Sequence, residues 1–147
     1  MVVTPLRPVG RKWSTLSFAS TLYLVPVLDL LLTEVPPLWQ PELRLGLQEA
    51  LVNAAKHGNQ LDPSRQVTIH FSIAGHQYWW VITDQGALHK SQECSHEQAD
   101  DTPCHELECG RGLYILHQIF DQVHWSYTEH KLSLCKHIDK YALPTIH

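Results

Sequence analysis

Residues 65–84, RQVTIHFSIAGHQYWWVITD, constrain the fold more than any other stretch. Val67, Ile69, Phe71 and Ile73 alternate with polar residues, which is the period of a half-buried strand. A second β-rich run ending at Asp84 follows after a short turn that contains Gly75. Strands joined by so short a turn are antiparallel, and their apolar face needs a second layer to cover it. VHWSYT at 123–128 and KLSLCKHI at 131–138 read as a closing hairpin, and KWSTLSFA at 12–19 as a first strand.

The segments between these strands carry a helical period. In STLYLVPVLDLLLTEV, residues 20–35, Leu24, Val27, Leu28 and Leu31 share a face, with Ser20 or Thr21 as the N-cap. Pro26 falls in the first two turns, where a proline does least harm. PPLWQPE breaks the chain. A second helix then runs from about Glu42 to His57, stops at Gly58-Asn59, and packs through Leu43, Leu47, Leu51 and Ala54. Beyond residue 112, Leu113, Leu116, Phe120 and Val123 are placed on one face of a third helix. The order is β-α-α-β-β-loop-α-β-β. It predicts an α/β (α+β) two-layer sandwich, a mostly antiparallel mixed sheet covered on one face by helices. A doubly wound parallel sheet would need strands and helices in regular alternation. The adjacent Trp79 and Trp80 read as one core residue and one surface or interface residue.

Composition narrows the function classes. A chain of 147 residues, 44% hydrophobic, is long enough for one core without staples, so its four cysteines read as reduced thiols in a cytoplasmic protein. A net charge of −4 with neutral histidines gives no basic footprint, so no direct nucleic-acid contact is expected. Arg7, Arg11 and Lys12 before WSTLSFASTLYLVPVLDLLL loosely imitate a signal peptide. Serines, Pro26 and Asp29 interrupt the run, which is also too short and too polar to span a membrane. The expected layout is an arm over 1–11, a domain over 12–138 and a tail over 139–147.

Three groups of residues carry possible chemistry. Glu49 and Asn53 lie at i and i+4 on the second helix, with Lys56 and His57 one turn on. A carboxamide oxygen suits Mg²⁺, a glutamate can accept a proton, and a lysine can meet phosphate. A solvated helix face accounts for the same pattern. Asp84 ends a strand two residues before Gly86; such an aspartate can accept hydrogen bonds from a ligand amine, or simply belong to a turn. Gly110, Arg111 and Gly112 stand where a long polar loop, about 86–109, meets the third helix. Free N–H groups at a helix start hold phosphates, although a plain loop-to-helix junction looks alike.

Taken in order, EALVNAAKHGN, TDQG and GRGLYILHQIFDQV resemble the three boxes of the GHKL (Bergerat-fold) ATP-binding family. Over roughly residues 12–138 the chain is most similar to the bacterial anti-sigma-factor serine/threonine kinases. The resemblance implies ATP and Mg²⁺ as cofactors and the long loop as an ATP lid. Glu49 would be the general base, Asn53 the Mg²⁺ ligand and Asp84 the acceptor for the adenine amine. Gly86 would leave room beside the base, Gly110, Arg111 and Gly112 would hold the phosphates, and Lys56 and His57 would lie near them. It further implies a STAS-type antagonist as phosphoryl acceptor, a sigma factor or equivalent regulator as second partner, and a homodimer, as is common in the family.

Two positions depart from the family pattern. Leu88 stands where a second glycine is frequent, and in HKLSLCK only Ser133 offers the hydroxyl that a late-strand threonine commonly supplies. Two other readings therefore stay open: an ATP-binding clamp that sequesters a partner without phosphorylating it, and a zinc site built by Cys94, His96, Cys104, His105 and Cys109 of the lid. A complete histidine kinase is set aside, because no helical hairpin with a phospho-accepting histidine fits before Glu42.

Overall fold

The structure, a computed structural model, describes residues 12–86 and 113–139. The expected arm, the lid from Ala87 onward with Leu88, Cys94, His96, Cys104, His105 and Cys109, the Gly110-Arg111-Gly112 junction and the tail beyond Asp139 lie outside the described residues.

Five strands form one sheet: β1 (Ser14–Ala19), β2 (Gln66–Ala74), β3 (Gln77–Thr83), β4 (Gln122–Ser126) and β5 (Lys131–His137). Their order is β1-β2-β3-β5-β4, and every pairing among them is antiparallel. The β2–β3 hairpin turns at Gly75, whose φ of +61° is the left-handed conformation that glycine adopts without a steric penalty. Helices α1 (Val25–Leu31) and α2 (Gln40–Val52, entered through the 3₁₀ turn Pro37–Trp39), with a third helical segment α3 at 113–119, form the second layer.

Alternation along the strands decides what meets the helices. Phe71, Trp80, Leu134 and Val123 are cross-strand partners, as are Leu16, Ile69, Ile82, Leu132 and Trp125, and both rows belong to the helix-facing core. Against them α2 buries the stripe expected of it: Leu43, Leu47 and Leu51 are wholly inaccessible and Ala54 nearly so. At about 1.5–3 kcal/mol for each large apolar side chain removed from water, this stripe is the main attachment of α2. From α3, Leu116 is buried and Phe120 beyond it meets the Trp80 ring edge-on, with centroids 5.8 Å apart. Lys136 fastens the same helix from below: its Nζ, 5.1 Å from the centre of the Trp39 ring, donates to the Ile119 carbonyl at 2.7 Å. A cation on a helix C-terminal carbonyl also answers the helix dipole.

Three local expectations change. Helix α1 begins at Val25, not at Ser20 or Thr21, and has no side-chain cap. Ser20 instead donates its hydroxyl to the Arg65 carbonyl, and Thr21 Oγ1 accepts from the Tyr23 N–H, so both side chains are committed before the helix starts. Val123 is no part of α3; it pairs with Leu134 inside β4. Trp79 is not a surface residue. It is buried on the sheet face opposite Trp80, in register with Ser72 and Cys135. Among the described residues, no helix is long and apolar enough to cross a membrane.

Candidate functional site

Glu49 and Asn53 sit on the last turns of α2, both half-buried, beside the fully buried stripe. Among the described residues, no hydrogen bond or ion pair takes up either side chain. At Asn53 the helix widens into a π turn, Asn53–Gly58, in which Asn59 N–H reaches the Ala54 carbonyl five residues back at 2.9 Å. Wide turns of this kind occur often at functional sites. Past Asn53 the 3.6-residue spacing no longer applies, so Lys56, exposed, and His57, half-buried, do not simply extend the Glu49–Asn53 line.

The expected stop at Gly58-Asn59 works differently from a glycine cap. Gly58 is not left-handed; the left-handed residues are Gln60 (φ 56°) and Leu61 (φ 58°). Gly58 is there for another reason. A Cβ at this position would collide with the Asp84 carboxylate, and one on Gly86 would collide with the Gly58 carbonyl. The end of the π turn and the loop after β3 thus touch backbone to backbone, and both glycines are required for it. The smallness of Gly86, expected to make room for a ligand, already serves this internal contact.

Asn59 locks the two segments. It is completely buried, and its Nδ2 donates to Ser20 Oγ at 2.8 Å and to the Gln66 carbonyl at 3.0 Å. Its Oδ1 accepts from the Gln85 N–H at 2.7 Å. Gln85 returns the contact through its Oε1, which accepts from Gln66 N–H at 2.7 Å. One carboxamide therefore joins the end of β1, the start of β2 and the loop that carries Asp84.

Asp84 is 6% exposed. Its Oδ1 accepts from Gly86 N–H at 2.8 Å and lies 3.3 Å from Nδ1 of His130, in the β4–β5 turn. Burial pushes the Asp84 carboxyl above the ordinary carboxylate range, against the Gly86 N–H, His130 and, at longer reach, Arg65, all of which favour the ionised form. A buried carboxylate held this way can accept a hydrogen bond from a ligand amine. Ser133, the sole hydroxyl in HKLSLCK, shares a sheet face with Val81 and His70 and points away from the helix layer.

The structure thus brings Gly58 and Asn59, at the end of the π turn, against the Asp84–Gly86 loop, with Asn53 at the start of that turn and Glu49 one turn before it on α2. Two residues of this assembly escape a reading of the sequence. Asn59 looks like an ordinary helix-stop residue, and nothing local marks it as buried. His130 does leave a trace: YTEHK connects two strands without the glycine or asparagine that a tight hairpin usually needs.

A family model described as "Histidine kinase-like ATPase domain" matches residues 29–136, most of the chain, from the last turn of α1 through most of β5. Among curated proteins, "Serine-protein kinase RsbW" of Bacillus subtilis (strain 168) is 26% identical over 86 residues, 56% of this chain and 54% of that protein. The protein of the same name from Bacillus licheniformis is 28% identical over 88 residues, 56% of this chain and 55% of its own length. The chain spans about half the length of these relatives. With an antiparallel sheet covered by helices among the described residues and a family model over most of its length, the chain belongs to the histidine kinase-like ATPase domain family.

Proposed function

We propose that this chain binds Mg-ATP between α2 and the Asp84–Gly86 loop and transfers the γ-phosphoryl group to a serine or threonine hydroxyl of a protein. The observation that carries this reading is the clasp of Gly58 and Asn59 on Asp84–Gly86. It supports the reading by joining the loop that carries the buried Asp84 carboxylate to the end of the helix that bears Glu49 and Asn53.

In this reading Asp84 accepts from the adenine amine. Asn53 offers a carboxamide oxygen to Mg²⁺, a fit supported by its half-buried place at the helix end with no described side-chain partner. The ion, once bound, neutralises charge on the phosphates. Glu49, one turn before Asn53, takes the proton of the acceptor hydroxyl as its oxygen bonds to the γ-phosphorus. The bond from that phosphorus to the β–γ bridging oxygen breaks, and ADP leaves with the electron pair. Lys56, His57, Gly110, Arg111 and Gly112 are proposed as phosphate contacts.

The kinase names of the relatives support protein phosphorylation as the reaction. The anti-sigma resemblance supports a STAS-type antagonist as acceptor and a sigma factor or equivalent regulator as the alternative partner, in a cytoplasmic switch. A clamp that binds ATP without transferring phosphate is the second reading, favoured by Leu88 at the position of the second glycine.

Titration of the purified chain with ATP and Mg²⁺, beside Asn53→Ala and Asp84→Asn, tests the site. Binding by wild type, with at least a roughly tenfold loss in each variant, is expected. Glu49→Gln should then keep nucleotide affinity while losing phosphoryl transfer by about a hundredfold or more. If Glu49→Gln and wild type are equally inactive toward a STAS acceptor, the clamp reading replaces the kinase.

A further inference from the structure

His130 closes the β4–β5 turn in the left-handed backbone conformation, φ 52°, a region that side chains with a Cβ rarely enter. Glycine or asparagine would serve the turn with less strain. What the imidazole adds is a second engagement of Asp84, beside one that the backbone makes with any residue here. The His130 carbonyl accepts from the Asp84 N–H at 3.1 Å, and the ring Nδ1 stands 3.3 Å from Asp84 Oδ1. An ionised carboxylate only accepts hydrogen bonds, so this contact requires the proton to be on Nδ1.

The pattern of donors is one-sided. Gly86 N–H and His130 both address Oδ1, while no donor among the described residues addresses Oδ2. The groups facing the carboxylate are His130 from the β4–β5 turn, Gly86 from the loop after β3, and Arg65, at longer reach, from the segment before β2. Burial favours the neutral acid, and His130 is the nearest charged or chargeable group that opposes it.

The difference between the two forms matters to a base. A carboxylate can only accept, and so matches an exocyclic amine. A carboxylic acid carries an O–H that can donate to a carbonyl oxygen. We propose that His130 is a specificity-determining positioning residue: by holding Oδ1 it keeps Asp84 an acceptor through Oδ2, so that the site takes a purine bearing an amine and refuses one bearing a carbonyl at the same place. This rests on the nucleotide-site reading given above.

The test compares the affinities of Mg-ATP and Mg-ITP, which differ in the C6 amine or carbonyl and in the N1 acceptor or N–H beside it, for the full chain and for His130→Gly and His130→Asn. Both replacements suit the left-handed backbone, so each variant folds without the strain that most residues would add. Wild type should prefer ATP. Each variant should lose roughly tenfold of that preference, ATP weakening and ITP holding or gaining. A merely structural role would weaken both nucleotides together and leave the ratio unchanged, and that result overturns the proposal while leaving the nucleotide site standing. Failure of wild type to bind either nucleotide overturns both.

Discussion

Taking a carboxylate out of water costs free energy that its partners must offset, and Asp84 has its described donors gathered on a single oxygen. Its carboxyl is raised by burial above its value in the unfolded chain. The fold therefore holds this proton more tightly than the unfolded chain does. Stability from this group falls as pH rises from the ordinary carboxylate value through the raised one, and stays lost above it. Asp84→Asn removes the ionisation and can keep a carbonyl oxygen for Gly86 and His130. The variant should melt a few degrees above wild type near neutral pH, and the gap should narrow as pH falls toward the ordinary carboxylate range of about 4 and wild type takes up a proton at this site. Thermal melts of both proteins across that range check it. A gap independent of pH would show that some other contact of the side chain is responsible.

At the level of elements, the junction of α2 with β1, β2 and the loop after β3 rests on Asn59. Asn59→Ala would leave the part-buried Gln85 N–H and Gln66 carbonyl without these bonds and would remove the buried donor to Ser20 Oγ. A loss of about 3 kcal/mol is expected in denaturant unfolding, the range of a broken buried network. The α2 stripe was legible because Leu43, Leu47, Leu51 and Ala54 follow one period and report one environment. The start of α1 was not. Ser20 and Thr21 are good cap residues by type, and only the approach of Arg65, far along the chain, shows that Ser20 is engaged elsewhere. Gly58 misleads in the same way. A glycine after a helix suggests a left-handed cap, but the steric demand comes from Asp84, twenty-six residues later.

Over the whole molecule, the two hairpins were enough to exclude a doubly wound sheet and to predict helices on one face of an antiparallel one. Periodicity could do this because it is a local signal that burial amplifies. The central position of β3 is what a local signal misses. Both faces of that strand are buried, which is why Trp79 and Trp80 are both inside. Of the candidate site, Glu49, Asn53, Asp84 and Gly86 stood out by residue type and spacing. Asn59 and His130 could not, since their partners are distant in sequence.

The remoteness of those partners has a consequence in time. Asn59 meets Ser20 across thirty-nine residues and Gln85 across twenty-six, and Asp84 waits on a turn that forms after β4. Contacts so far apart in sequence close late, after local structure has formed. The Asp84 end of the candidate site should thus be absent from any half-built chain. A bound nucleotide would have nothing to hold at the folding barrier and would act only on the finished protein. Saturating ATP should slow unfolding by the full factor by which it stabilises the domain and leave refolding at its ligand-free rate. Stopped-flow measurements in both directions would read this directly, and a nucleotide that accelerated refolding would place the clasp early.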